Sequence, residues 1–348
     1  MKNASSKFEE IKVELVSNPR IWVITGVAGF IGSNLLESLL NLNQRVRGLD
    51  NFSTGFTKNL DDVESSVTKE QWSNFSFIEG DILNSESCQK ICDGADFILH
   101  QAALGSVPRS IADPYSSNNS NITGFLNMLI AAKNAEVKRF VYAASSSTYG
   151  DHPALPKIEE NIGEPLSPYA VTKLVNELYA SVFKKTYNFD SIGLRYFNIF
   201  GKRQTVNSAY AAVVPKWIGA IIEGQAIQIN GDGETSRDFT YVENAVQANI
   251  LSATSEAKDS MPLIFNIAAG ERTSLLKLFE CIKENIDALN NEFDILDPIF
   301  ADFRSGDVRH SLADISKART YLGYEPSHDV DHGIKEAVQW YMNELNKE

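Results

Sequence analysis

Tyr169 and Lys173 stand at i and i+4 in the stretch Ser167-Pro168-Tyr169-Ala170-Val171-Thr172-Lys173. On a helix that spacing puts both side chains on one face, one turn apart. A phenol titrates near pH ~10 and is a poor base at neutral pH. An ammonium beside it favours the phenolate and lowers that value. A tyrosine held in this way can take a proton from a hydroxyl and return it. Ser167 as N-cap and Pro168 at the first helical position predict that a helix starts here. A surface helix carrying Tyr and Lys by chance has the same spelling, so the pair needs support from the rest of the chain.

That support begins with residues 21–25, a short apolar run suited to a buried parallel strand. It leads into Gly26-Val27-Ala28-Gly29-Phe30-Ile31-Gly32, after which Leu35, Leu36, Leu39 and Leu40 recur as one face of a helix. Strand, glycine turn and helix together let a backbone approach a pyrophosphate, which the helix N-terminus attracts. Residues 45–49 form a second strand that ends at Asp50, where a carboxylate accepts hydrogen bonds from adenosine ribose hydroxyls. The same carboxylate repels a 2′-phosphate, which favours NAD over NADP. Further strands are expected at 75–80, 97–99 and 139–143. They end at Asp81-Ile82, at His100-Gln101-Ala102-Ala103 and at Ser145-Ser146-Ser147, with a helix over 122–135 among the intervening segments. Alternating strands and helices predict a doubly wound parallel sheet, and ligands bind beyond the carboxyl ends of such strands. Asp81 and Ile82 are placed beside the adenine, Gln101, Ala102 and Ala103 along the dinucleotide, and His100 in the packing.

Composition narrows the partners. The 348 residues carry a formal net charge of −13, which disfavours nucleic acid. Three cysteines, Cys88, Cys92 and Cys281, lack metal-ligand spacing and read as free thiols of a reducing compartment. No metal is expected. No apolar run is long enough to span a bilayer, and the N-terminus lacks a signal peptide's apolar core, so a cytoplasmic location is expected and no membrane contact. Phe8, Ile11 and Leu15 predict an appended N-terminal helix without chemistry.

Taken together, Gly26-x-x-Gly29-x-x-Gly32, Asp50, the Ala102-Ala103 turn, the serine-rich strand end and Tyr169-x-x-x-Lys173 resemble the extended short-chain dehydrogenase/reductase family. The resemblance runs from residue 21 to the C-terminus. It implies an α/β fold: an NAD-binding Rossmann domain with a doubly wound parallel sheet, and a smaller α/β domain for a nucleotide sugar. The implied boundaries are a helical extension over 1–19, the Rossmann domain over 20–197 plus 241–270, and the substrate domain over 198–240 plus 271–348. Residues 241–245 should begin a helix, and 262–268 should return to the sheet as a strand. The implied catalytic residues are Ser145, Tyr169 and Lys173. The implied NAD-binding set is Gly26, Gly29, Phe30, Ile31, Gly32, Asp50, Asn51, Phe52, Ser53, Thr54, Gly55, Asp81, Ile82, Gln101, Ala102, Ala103, Asn121, Tyr169, Lys173 and Tyr196.

Family members differ in the residues just after the catalytic serine. Dehydratases place an Asp-Glu pair there, and decarboxylases keep a glutamate. Ser146 and Ser147 stand here instead, so hydride removal and return remain, which is the 4-epimerase reaction. The resemblance places substrate on Gly105, Ser106, Ser145, Ser146, Ser147, Tyr169, Asn198, Val214, Gln228, Ile229, Arg237, Arg304 and Ser311. Residues 228–233 look like a uridine-contacting hairpin after a helix over 216–223. Arg237 and Arg304 offer guanidinium forks suited to phosphate oxygens. Ser311 occupies a position where hexose 4-epimerases often carry a tyrosine, and a small residue there leaves room for an N-acetyl group. Gly105–Ser110 and Ser145–Gly150 also resemble bacterial UDP-N-acetylglucosamine 4-epimerases of O-antigen pathways, some of which handle uronic acids. The resemblance further implies a homodimer through the helices of 122–135 and 169–180. A reductase or dehydratase on another nucleotide sugar, and a silent NAD-sensing regulator, are the competing readings.

Overall fold

A computed structural model describes residues 6–206, 211–256, 261–289, 293–303 and 308–345. Its centre is a seven-stranded parallel sheet. The strands are β1 (Ile21–Thr25), β2 (Arg45–Asp50), β3 (Phe75–Glu79), β4 (Phe97–His100), β5 (Arg139–Ser145), β6 (Ser191–Tyr196) and β7 (Ile264–Ile267), in the spatial order β7-β6-β5-β4-β1-β2-β3. Parallel strands buried on both faces need apolar residues at every position. β1 obeys this: Trp22 and Ile24 enter one core, while Val23 enters the core on the opposite face. The order reverses between β1 and β4, and the crevice beyond their carboxyl ends is where such sheets take ligands.

The principal helices, in chain order, are α1 (Lys7–Ser17), α2 (Phe30–Asn41), α3 (Thr57–Ser66), α4 (Phe125–Asn134), α5 (Pro168–Tyr187), α6 (Val213–Ile222), α7 (Val242–Thr254), α8 (Leu275–Leu289) and α9 (Val330–Leu345). α1 packs on the nucleotide-binding half through Ile11 and Leu15. The helix expected over 122–135 is preceded by a π-helical turn over Asn119–Gly124. α6 starts three residues earlier than expected, because Pro215 falls in its first turn, where a missing N–H costs nothing. A third core joins α6, α8 and α9 through Trp217, Ile218, Ile282 and Val338. None of the described helices is long and apolar enough to cross a membrane. Cys88, Cys92 and Cys281 are buried free thiols, and burial pushes Cys88 up to about 11 and the other two to about 12.

One buried carboxylate ties three backbone segments together. Asp238 is fully buried; its Oδ1 accepts from the amides of Ala269 at 3.0 Å and Gly270 at 3.3 Å, and its Oδ2 accepts from Ala313 at 3.2 Å. Burial raises its titration to about 7, against the pull of those three amides. The folded value lies above the ordinary one of 3.8, so the folded chain keeps a proton through that window which the unfolded chain has released. The stability this provides is complete below the unfolded value and is lost as pH rises through the folded one. The gap corresponds to on the order of 4 kcal/mol. Between pH 5 and 8 the melting temperature of D238N is therefore expected to fall less than that of the wild type. Parallel pH–melting curves for the two proteins would contradict this assignment.

Candidate active site

The glycine turn is fixed by contact and not by flexibility alone. Gly26 has φ +71°, and a Cβ there would come within 2.8 Å of the Ala102 amide nitrogen. A Cβ on Gly32 would lie 2.0 Å from the Gly26 carbonyl oxygen, so the first turn of α2 rides directly on the loop. Asp50, at the end of β2, closes the loop from the side: its Oδ2 accepts from Ala28 N at 2.9 Å and its Oδ1 from Phe52 N at 2.9 Å. Burial raises the Asp50 carboxyl, and the backbone amides oppose that rise. Asn51 donates to Asp81 Oδ2 at 2.9 Å and so ties the ends of β2 and β3 together.

These groups open into a cleft of about 780 Å³ that runs past the carboxyl ends of the strands. Gly26, Gly29, Phe30, Ile31, Gly32, Asp50, Asn51, Ser53, Thr54, Asp81, Ile82, Gln101, Ala102 and Ala103 line it, followed by Gly105, Ser106, Ser145, Tyr169, Lys173, Tyr196 and Asn198. The open N-terminus of α2, the close backbone approach at Gly26 and the Asp50 carboxylate fit a dinucleotide with unesterified ribose hydroxyls. His100 stays in the packing: it is buried against Phe125 and Phe140, its Nδ1 is 2.7 Å from Thr25 Oγ1, and burial lowers it to about 3.

The catalytic candidates converge at the end of β5. Ser167 caps α5, accepting from Ala170 N at 3.1 Å, and the Tyr169 amide donates to Ser110 Oγ at 3.0 Å. Ser145 stands by the Tyr169 phenol and works to lower its titration. Ser147 donates to Ser145 Oγ from its amide at 3.1 Å and its hydroxyl at 2.9 Å, so it acts on the cleft through Ser145. Neither Ser146 nor Ser147 lines the cleft itself. Tyr196 is held by Asn249, which donates to its hydroxyl at 2.7 Å, and its own hydroxyl donates to Gln101 Oε1 at 3.2 Å.

The electrostatics depart from the sequence-based expectation. Burial raises the Tyr169 phenol, and only Ser145 opposes it. Lys173 Nζ donates to Ala143 O at 2.7 Å, lies 5.9 Å from the centroid of the Tyr169 ring, and is lowered by burial to about 8. The i, i+4 spacing places the two side chains together; burial makes the Lys173 proton easier to lose, but a value of about 8 leaves the ammonium largely charged at neutral pH.

Several of the expected contact residues lie outside the cleft wall. Phe52 packs against Phe77 with the rings tilted by 47° and centroids 5.3 Å apart, and Gly55 packs on Ala28, where a Cβ would meet the carbonyl carbon at 2.9 Å; neither lines the cleft. Asn121 is also behind the wall, accepting from Leu104 N at 2.7 Å and donating to Thr172 Oγ1 at 3.1 Å. Val214 and Ile229 are closed inside the third core, at 1% and 0% exposure, so neither side chain is presented to a ligand. Residues 228–233 do not form a hairpin: Gln228–Asn230 pairs in parallel with Ile299–Ala301, far along the chain. Gln228 is exposed on that strand, away from the cleft wall. Arg237 and Ser311 lie on neighbouring segments outside the cleft wall; Arg237 donates to the carbonyls of Ser236 and Arg309, and the Ser311 amide donates to Ser236 O. Arg304 lies outside the described residues. The sequence reading missed Gln204, Thr205, Ala211 and Ala212, which also line the cleft. They sit in loops and at a helix cap, where no periodicity marks them; the polar Arg203-Gln204 pair just after Gly201 was the available cue.

Comparison with known proteins places these features in a family. The model of the NAD dependent epimerase/dehydratase family matches residues 22–268. The UDP-glucose 4-epimerase of Mycolicibacterium smegmatis is 32% identical over 323 residues, 92% of this chain and 98% of that protein. The solved structure of the UDP-N-acetylglucosamine 4-epimerase of Methanobrevibacter ruminantium M1, in complex with UDP-N-acetylmuramic acid, is 38% identical with a TM-score of 0.85, covering 94% of this chain and 99% of that one. The UDP-glucuronic acid 4-epimerase of Bacillus cereus, in complex with UDP-glucuronic acid and NAD, is 29% identical with a TM-score of 0.79, covering 93% and 99%. With residues 22–268 matched and a glycine turn beside Ser145, Tyr169 and Lys173 at the end of a seven-stranded parallel sheet, the chain belongs to the NAD dependent epimerase/dehydratase family.

Proposed function

We propose that the protein is a 4-epimerase that interconverts UDP-N-acetylglucosamine and UDP-N-acetylgalactosamine, and accepts their uronic acid forms. The observation that carries the epimerase reading is the distribution of carboxylates in the cleft. Among the described lining residues only Asp50 and Asp81 carry one, and both stand at the ends of β2 and β3, the cofactor side. Around Ser145 and Tyr169 no acid–base pair is available for elimination, whereas a single hydroxyl proton can be handled by the phenol. Bound NAD would supply the acceptor for the carbon-4 hydride, its return to the opposite face of the ketosugar, and a positive charge beside Tyr169. Tyr169 then takes the proton from the sugar 4-hydroxyl, Ser145 holds the substrate oxygen, and Lys173 orients the nicotinamide ribose. After the ketosugar turns over, the same phenol returns the proton.

The N-acetyl preference is supported by Gly105 and Ser106 in the cleft wall and by the likeness to the Methanobrevibacter enzyme. Such a product serves surface-polysaccharide synthesis in the cytoplasm. A homodimer fits the exposed Val171, Leu178 and Val182, which follow one another along α5 at helical spacing, with Ile130 exposed on α4.

The test is to incubate the purified protein, without added cofactor, with UDP-N-acetylglucosamine, UDP-glucose and UDP-glucuronic acid, and to follow carbon-4 inversion by proton NMR. Conversion of the first ahead of UDP-glucose is expected, with a dimer mass by light scattering. Faster conversion of UDP-glucose would retain the chemistry and remove the N-acetyl assignment. No inversion of any of the three, with NAD supplied, would remove the epimerase reading.

A further inference from the structure

We infer that Arg203 is a positioning residue for the nucleotide sugar: it fastens the 204–205 wall of the cleft to the helix whose N-terminus faces the cofactor diphosphate. The inference rests on the reading of this cleft as a UDP-sugar site.

Arg203 is 4% exposed and holds φ +66°. Left-handed backbone is unfavourable for a residue with a Cβ. It persists where the surroundings over-determine it, and such positions gather at functional sites. Here the surroundings are two helices of the nucleotide-binding half. The guanidinium places Nη1 2.7 Å from Glu37 on α2 and Nε 2.6 Å from Asp62 on α3, and Nη1 also donates to Ser33 O at 3.4 Å. Lys202 adds its Nζ to Glu37 at 2.7 Å, and its carbonyl accepts from Asn34 Nδ2 at 3.2 Å. Burial works to raise the Glu37 carboxyl, but the two cations outweigh it and hold it below its ordinary value.

Arg203 itself does not line the cleft, whereas its neighbours Gln204 and Thr205 do. Gln204 is also gripped from the other half: its carbonyl accepts from Tyr341 Oη on α9, and its Nε2 donates to Ile199 O at 3.3 Å. The wall is thus pinned on one side by α9 and on the other by α2 and α3. A planar guanidinium that meets acceptors in two directions fixes an orientation that a lysine point charge does not. α2 begins at the Gly29 cap of the glycine turn, and Glu37 lies further along the same helix. One helix therefore sets the place of both the dinucleotide and the substrate wall. Hydride transfer demands that the two be aligned closely, and small misplacements are costly.

The test compares R203L, R203K and D62N with the wild type. Four quantities are read: NAD per chain, melting temperature, the Kd for UDP and for UDP-N-acetylglucosamine by calorimetry, and KM against kcat on the best UDP-sugar. R203L is expected to raise KM and Kd for the UDP-sugar at least tenfold with NAD per chain unchanged. R203K should recover part of that loss, and D62N, which keeps the Glu37 pair, should show a rise of about threefold. A merely structural role would lower the melting temperature and the folded fraction and leave KM alone. KM and Kd within twofold of wild type in folded R203L would overturn the proposal; if R203L does not fold, unchanged KM and Kd in D62N would do so. A wild type that binds UDP but inverts no UDP-sugar would remove the epimerase reading and leave the Kd comparison to decide on Arg203. A wild type that binds neither UDP nor the UDP-sugar would overturn both.

Discussion

Tyr169→Phe is expected to lower kcat by about 10²–10⁴-fold, the range set by loss of a general acid–base group. The phenol is the group at the end of β5 that can accept a sugar hydroxyl proton, and Ser145 stands by it. Removing the hydroxyl leaves the ring and its packing in place, so the melting temperature, the NAD content and the UDP-sugar Kd should stay near wild type. Burial raises the phenol in the cofactor-free chain, and a positive charge brought by the cofactor is expected to lower it. The ultraviolet signature of phenolate should consequently titrate at lower pH in NAD-loaded protein than in stripped protein, and this difference should vanish in Y169F. Turnover within threefold of wild type in Y169F would end the assignment of this tyrosine as the proton carrier.

The second large effect is expected at the glycine turn. A methyl group at Gly32 would stand 2.0 Å from the Gly26 carbonyl oxygen and 2.8 Å from its carbon, with no flexible side chain to yield. At Gly29 the same methyl would meet only the Gly26 oxygen, at 3.1 Å. G32A is therefore expected to displace the first turn of α2, cost about 1–3 kcal/mol of stability as an overpacked site, and purify without NAD. G29A should retain a measurable share of its cofactor. Cofactor content after gel filtration, read by absorbance and by release on denaturation, gives the order. Stoichiometric NAD in G32A would mean that the diphosphate does not sit on this turn.

Much of the architecture could be read from the sequence, because parallel strands buried on both faces must be apolar throughout and their polar ends mark the ligand crevice. Ile21–Thr25, Arg45–Asp50 and the cap at Ser167 are local signals, and the structure places them accordingly. The failures have a common cause. Gly231 and Gly233 do adopt positive φ, of +85° and +81°, as a turn requires, but the strand before them finds a partner at Ile299–Ala301 that no local pattern announces. Val214 and Ile229 carry the composition of a wall and the burial of a core. The i, i+4 rule brings Lys173 beside Tyr169 but says nothing of the dry surroundings that lower the amine. Arg203 owes its importance to Glu37 and Asp62, each more than a hundred residues away, and spacing along the chain is blind to that.

The last strand of the main sheet has a consequence for how the molecule is made. β7 pairs with β6, yet the chain between them runs through α6 and the short strands before α7 returns it to the sheet. Until β7 has been synthesised, β6 has an open edge of backbone amides and carbonyls, flanked by apolar side chains. Such an edge is a template for pairing with another chain. A ribosome-bound intermediate that ends before Ile264 would therefore hold six of the seven strands with the β6 edge still unpaired. Completion of the sheet therefore waits until Ile264–Ile267 has been made, well after the chain has passed through α6 and α7.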